Sequence, residues 1–264
     1  MMRIGIVVFG ALALMPTAAS AQEREFCSDR PGIGTPACTV SPGQVYVEAG
    51  IGDWTLERSA GERDDTFLTG DFLVRYGVAD HAEVQIGWTA LGFSRERAAG
   101  TIDHRSAAGD VTLAMRRNLA NPDGSGFSVA VMPFVTLPVG REPIGAGDWS
   151  AGALVPLSYE LSDKVNLAAT TEIDAAVDED GSGRHLAFSE VVGASLQLAK
   201  TLTATAEYQV MADHDPQGHK VQHLSGLSLG WQPEKKLQFD VGANAGLDHD
   251  APEVEVYFGV SRRF

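Results

Sequence analysis

The chain has 264 residues with 29 Gly and 12 Pro, and its hydrophobic fraction of 44% is too high for a disordered polypeptide. A formal charge of −15 excludes nucleic acid as a partner, because phosphate binding needs a basic surface. The length permits one or two domains, and all-β barrels reach this size as a single unit.

Residues 1–21 read as a cleaved secretory signal. Arg3 gives a positive start, Ile4 to Met15 an apolar run, and Ala19-Ser20-Ala21 a small-residue site before Gln22. The alternative, a membrane anchor, needs about 20 apolar residues, and this run is shorter. No later stretch is apolar enough for a transmembrane helix, so the exported protein is either soluble or a β-barrel. Residues 22–43 hold Pro31, Pro36, Pro42, three glycines and both cysteines, a composition unfit for a spanning strand. In an oxidising compartment Cys27 and Cys38 point to a disulfide, with free thiols or a metal ligand as alternatives. The segment is expected either to cap or enter the barrel as a small gate, or to be an ordered tether.

From Gln44 the chain alternates strand and turn. Twelve strands are predicted: Gln44 to Trp54, Thr66 to Ala79, Ala82 to Ser94, Gly109 to Leu119, Phe127 to Pro138, Asp148 to Leu161, Val165 to Ala175, His185 to Leu198, Leu202 to Met211, Val221 to Trp231, Leu237 to Leu247 and Glu253 to Phe264. In the eleventh, Leu237, Phe239, Val241, Ala243, Ala245 and Leu247 oppose Gln238, Asp240, Gly242, Asn244 and Gly246. A soluble sandwich would fill its apolar faces with bulky residues, whereas many such positions here are Ala or Gly. Strands near eleven residues and an even count predict an all-β fold, a closed antiparallel transmembrane barrel over residues 44–264. Glu190 breaks the pattern: alternation through Leu186, Phe188, Val192 and Ala194 sets it on the lipid face, and a bulge is expected there. Pro133 and Pro156 remove ladder donors and predict bulges or kinks.

Long polar connections (Thr55 to Asp65, Arg95 to Ala108, Val139 to Gly147, Ala176 to Arg184, Ala212 to Lys220, Asp248 to Pro252) interleave with tighter ones such as Asp80-His81. Barrels put long loops outside the cell and short turns in the periplasm, so both termini are expected to be periplasmic. Tyr76, Phe127, Tyr159, Trp231, Phe239 and Phe264 fall near one set of strand ends and Trp54, Trp88, Phe93, Trp149 and Tyr208 near the other, a two-girdle pattern. The last strand, ending on Phe264, resembles the signal read by the barrel-insertion machinery of Gram-negative bacteria, which with outer-membrane lipid completes the expected partners.

Ala108-Gly-Asp110, Pro133-Phe-Val-Thr-Leu-Pro-Val-Gly140, Gly147-Asp-Trp149, Leu157-Ser-Tyr-Glu-Leu161 and the closing strand together resemble the outer-membrane transporter family "MetA-pathway of phenol degradation". The resemblance covers most of Cys27 to Phe264, and Leu137-Pro-Val-Gly140 stands where the family usually has Leu-Pro-Thr-Gly. It implies passage of small hydrophobic or aromatic solutes and carries no catalytic residue. The motifs themselves suit strand ends and bends.

The expected lumen carries Glu48, Asp71, Glu83, Asp110, Glu160, Glu172, Asp174, Glu207, Asp240 and Glu255 against Arg75, Arg116 and Arg263. Such an interior favours cations or neutral solutes; paired across strands, the same charges would form a plug that conducts nothing. No cofactor is expected. The Asp213–His219 and Asp248–Asp250 loops have the donors for weak divalent-cation binding, while Asp178-Glu-Asp-Gly-Ser-Gly183 lacks a full calcium ligand series. His185 with Ser189, or His223 with Ser225, makes no local dyad for an enzyme. A channel is the leading reading, a non-conducting surface barrel the second, a barrel lipid hydrolase the third.

Overall fold

The period of two becomes thirteen strands in the computed structural model, which describes residues 24–181 and 183–264. The expected signal, residues 1–21, lies outside the described residues. In chain order the strands are β1 (Val45–Ser59), β2 (Glu62–Ala79), β3 (Ala82–Ala98), β4 (Thr101–Ala107), β5 (Val111–Ala120), β6 (Phe127–Leu137), β7 (Ser150–Ser162), β8 (Val165–Val177), β9 (Arg184–Ala199), β10 (Leu202–Asp215), β11 (Gly218–Glu234), β12 (Leu237–Gly246) and β13 (Val254–Arg263). All pairings between these strands are antiparallel, and β1 meets β13 from Tyr46↔Arg263 to Leu56↔Val254, closing the sheet. Closure leaves no edge whose backbone N–H and C=O groups would go unpaired in hydrocarbon. β4 pairs with Gly92–Ala98 of β3 and β5 with Ala82–Trp88 of the same strand, so β4 and β5 share one place in the wall. Thirteen strands therefore make a barrel of twelve staves.

Outward positions are apolar and exposed, as at Val84, Ile86 and Trp88 of β3 and Leu227 and Leu229 of β11. The largest fully buried side chains are Arg75, Arg116, Tyr46, Glu48 and Glu83. This inversion, ions inside and hydrocarbon outside, is the pattern a barrel adopts when lipid is its outer solvent. Aromatic side chains form two outward belts, with cross-strand pairs Phe127↔Tyr159 and Trp231↔Phe239 in one and Phe67↔Phe93 in the other.

Three expected loops are hairpins instead. The ladder runs out to Ser59↔Glu62, Ala98↔Thr101 and Asp215↔Gly218, well past the predicted strand ends. Beyond the apolar belt both faces are polar, so the alternation that marks a strand disappears while backbone pairing continues. At Glu190 the expected bulge is absent: β8, β9 and β10 hold an unbroken register through it. Its carboxylate stays outward and accepts a 2.6 Å hydrogen bond from Thr171 Oγ1 on the neighbouring strand, which spares the ladder a break. At Pro133 and Pro156 the ladders lapse but resume in the same register, from Ala114↔Phe134 to Arg117↔Val131 and from Val129↔Leu157 to Met132↔Leu154. The missing donors are absorbed as gaps, without an extra residue.

Candidate functional site: the lumen and its inserted segment

Residues 24–43 run inside the short-turn half of the barrel, tied by a Cys27–Cys38 disulfide. Where the segment leaves for β1 it crosses Gly77, at which a Cβ atom would fall within 2.6 Å of the Val40 and Ser41 carbonyl oxygens, so only glycine admits it there. The segment's backbone is taken up by wall side chains. Glu48 accepts the Asp29 and Arg30 N–H groups, each at 2.9 Å, and Glu207 on β10 accepts those of Ile33 and Gly34 at 2.8 and 2.9 Å. Thr170 on β8 both accepts from and donates to Thr35, Glu83 accepts the Val40 N–H at 2.6 Å, and Asn118 donates to the Ala37 carbonyl at 2.9 Å. A Pro/Gly-rich segment cannot pair its own backbone groups, and buried amides need partners, so the wall supplies them.

A buried ionic cluster fixes the near end of the segment. Arg75 contacts Asp29 at 2.7 Å, Glu48 at 3.2 Å and Glu83 at 2.9 Å, and donates to the Cys27 carbonyl at 2.7 Å. Arg116 forks onto the Asp29 carboxylate at 2.6 and 3.0 Å and donates to the Cys38 carbonyl at 3.1 Å. Neither guanidinium is exposed. Two arginines and three carboxylates thus share a water-poor space, where each charge is tolerable only because the others are in hydrogen-bond geometry. Further in, Arg30 reaches Asp240 at 2.9 Å and lies over the Tyr257 ring, passing the wall at Gly259, which offers no side chain to block it. Burial opposes the charge on Arg30, but the hydrogen bond and field of Asp240, with Asp71 and Glu48 behind it, hold its pKa above the ordinary arginine value.

The segment leaves one side of the lumen unfilled. A cavity of about 940 Å³ opens at the short-turn end, between the segment and the inner faces of β7 to β12. From the barrel wall Ser158, Ser195, Gln197, Thr203 and Thr205 face it among apolar and charged neighbours, with Glu160 and Lys164 at the rim.

At the other end the connection from β6 to β7 folds inward. Asp110 accepts the Gly140 and Ala146 N–H groups, both at 2.8 Å, and the Ala108 carbonyl accepts the Arg141 N–H at 3.1 Å. Ile144 is thereby carried against Gly92 and Gly109 on the inner wall. The Ala108-Gly-Asp110 and Leu137-Pro-Val-Gly140 motifs are thus two halves of one latch. Of the other inward acids, Asp71 accepts from Thr89 at 2.9 Å, Glu255 from Asn244 at 2.8 Å, and Glu160 from the Gly126 N–H at 3.1 Å; Glu172 and Asp174 are half-buried on β8. The inward loop and the seat of residues 24–43 are invisible to alternation, which reports the face of a residue and not its partner.

Neither suspected His/Ser pair forms a dyad. His185 Nδ1 lies 2.9 Å from Asp178 while Ser189 accepts from Gln209, and His223 Nδ1 lies 2.6 Å from the Tyr208 hydroxyl.

A closed antiparallel barrel with an apolar outer belt and a charged, segment-filled lumen has the architecture of outer-membrane porins. The chain belongs to the family described as "Putative MetA-pathway of phenol degradation", whose model matches residues 28–264. Among solved structures it is similar to the NanC porin (TM-score 0.52, 11% identity, 83% of this chain and 98% of that one). It is similar also to the KdgM porin (0.50, 8%, 84% and 99%) and to the translocator domain of the autotransporter NalP from Neisseria meningitidis (0.51, 12%, 85% and 89%). These likenesses are of fold. No curated protein matches the sequence.

Proposed function

We propose that the protein is a channel of the Gram-negative outer membrane whose N-terminal segment, residues 22–43, is a luminal gate. In this reading the short-turn end faces the periplasm, outer-membrane lipid covers the apolar belt, and the insertion machinery reads the strand ending in Phe264. The observation that carries it is the 940 Å³ cavity beside a segment held in the lumen by hydrogen bonds and ion pairs, its disulfide closing within the segment and not onto the wall. Both features suit a passage that widens when the segment shifts.

The solutes are small and neutral, with at least one hydroxyl group. Lumen charges already engaged by Arg30, Arg75 and Arg116 select weakly for ions, while a wall of Ser, Thr and Gln suits hydrogen-bonding solutes. Phenolic compounds, aromatic but carrying a hydroxyl, fit both this wall and the family's description. The experiment compares solute flux into proteoliposomes for the full chain and for a chain lacking residues 22–42. Faster flux of phenol in the truncated barrel supports the gate, and equal flux removes it. Absence of flux in both favours the non-conducting surface barrel.

A further inference from the structure

The two acidic loops that sequence reading left apart, after β8 and at the tip of β10, converge on one histidine. His185, at the start of β9, has a side chain only 4% exposed. Its Nδ1 lies 2.9 Å from Asp178 Oδ1 and 3.4 Å from Asp215 Oδ2, and these three ligand atoms all fall within 4.8 Å of one another. On the far side of the ring Nε2 stands 2.7 Å from Asp213 Oδ1 but off the line of a hydrogen bond, so this buried nitrogen has a carboxylate neighbour and no hydrogen-bond partner.

We propose that Asp178, His185 and Asp215 form a binding site for a divalent transition-metal ion at the long-loop mouth of the barrel. Bonds of about 2.0–2.2 Å from one ion to nitrogen and oxygen ligands place neighbouring ligands about 3.0–3.5 Å apart, and the two separations from Nδ1 are close to that spacing. Imidazole with carboxylates suits Zn²⁺ or Mn²⁺ better than Ca²⁺, which takes oxygen ligands throughout. Charge argues the same way. Three aspartates surround a ring that can neutralise one of them, and the nearby cations Lys220 and Arg184 are paired with Glu179 and Asp148. Asp215 is held in place: its oxygens accept the Glu179 and Gln217 N–H groups at 2.7 and 2.6 Å. An ion there ties the β8–β9 connection to the β10–β11 hairpin beside the inward loop.

The test is calorimetric titration of Zn²⁺ into the full chain in detergent, with Mn²⁺ paramagnetic resonance in parallel. One equivalent is expected, weakened about tenfold or more by His185→Ala and by Asp215→Asn and unchanged in a His214→Ala/His219→Ala double variant at the hairpin tip. Absence of binding to the unaltered protein overturns the site, as does binding that survives His185→Ala or is lost in the double variant. Should His185→Ala fail to fold, by the heat-dependent gel shift of folded barrels, Asp178→Asn decides: undiminished affinity in that loop variant rejects the site.

Discussion

Arg116→Met removes a contact between wall and segment, together with the longer 3.5 Å approach of Arg116 to Glu83 on the wall. Met nearly matches the arginine stem in volume, and every hydrogen bond that Arg116 makes to the segment is lost: two to Asp29 and one to the Cys38 carbonyl. Breaking a buried ion pair costs about 3–5 kcal/mol because one charge is left behind. Asp29 keeps Arg75 at 2.7 Å, so the lower end of that range applies, about 3 kcal/mol. If the segment leaves its seat as a unit, this raises the displaced population roughly 10²-fold, at about 1.4 kcal/mol per factor of ten. Planar-bilayer recording reads it as a comparable rise in open probability, and limited trypsin digestion as faster cleavage at Arg24. Asp29→Asn and the double variant complete a cycle in which the two changes must be strongly non-additive. Unchanged open probability together with unchanged trypsin protection would refute the view that this ion cluster seats the segment.

Asp110→Ala removes the acceptor of two backbone N–H groups, each such bond to a charged group contributing about 1.5–3 kcal/mol. The inward loop should then detach, seen as faster hydrogen exchange at Gly140 and Ala146 and a larger single-channel conductance; protection equal to the parent argues against the latch. On the outer wall, Val241→Arg should cost about 2–4 kcal/mol of barrel stability near the bilayer midplane. Tolerance of that change, with Gln238→Ala inside the lumen the more damaging of the two in urea unfolding, would invert the assignment of faces.

How far each element was legible depends on how local its cause is. The wall is written in a period of two, so Val84, Ile86 and Trp88 declare their face without help from any other strand. The turn at Asp80-His81 and the Pro/Gly-rich lead-in are equally local. Hairpin extensions at Ser59↔Glu62 and Asp215↔Gly218 were hidden because charged residues on both faces erase the period. The seat of the segment is a different kind of information: Arg30 and Asp240 are 210 residues apart, and no spacing rule links them. Asp110 can be read as an inward acid, but that its oxygens hold Gly140 and Ala146 depends on a loop path that only the assembled barrel defines. Glu190 shows the reverse error. A carboxylate on an apolar face suggested a fault in the strand, whereas one hydroxyl on the adjacent strand lets the ladder pass undisturbed.

Much of what Glu48, Glu83, Glu207 and Thr170 grip is amide nitrogen. Every residue except proline offers the same N–H, so a socket of this kind recognises the path of a chain and is largely indifferent to its spelling. Mutations in residues 31–37 that respect the backbone can therefore accumulate at Ile33 and Thr35, whereas Gly32 and Gly34, where a Cβ would press on Glu207, buried Ala37 and the wall carboxylates have no such latitude. Within one barrel scaffold the face turned toward the solute is free to diversify while the machinery that holds it stays fixed.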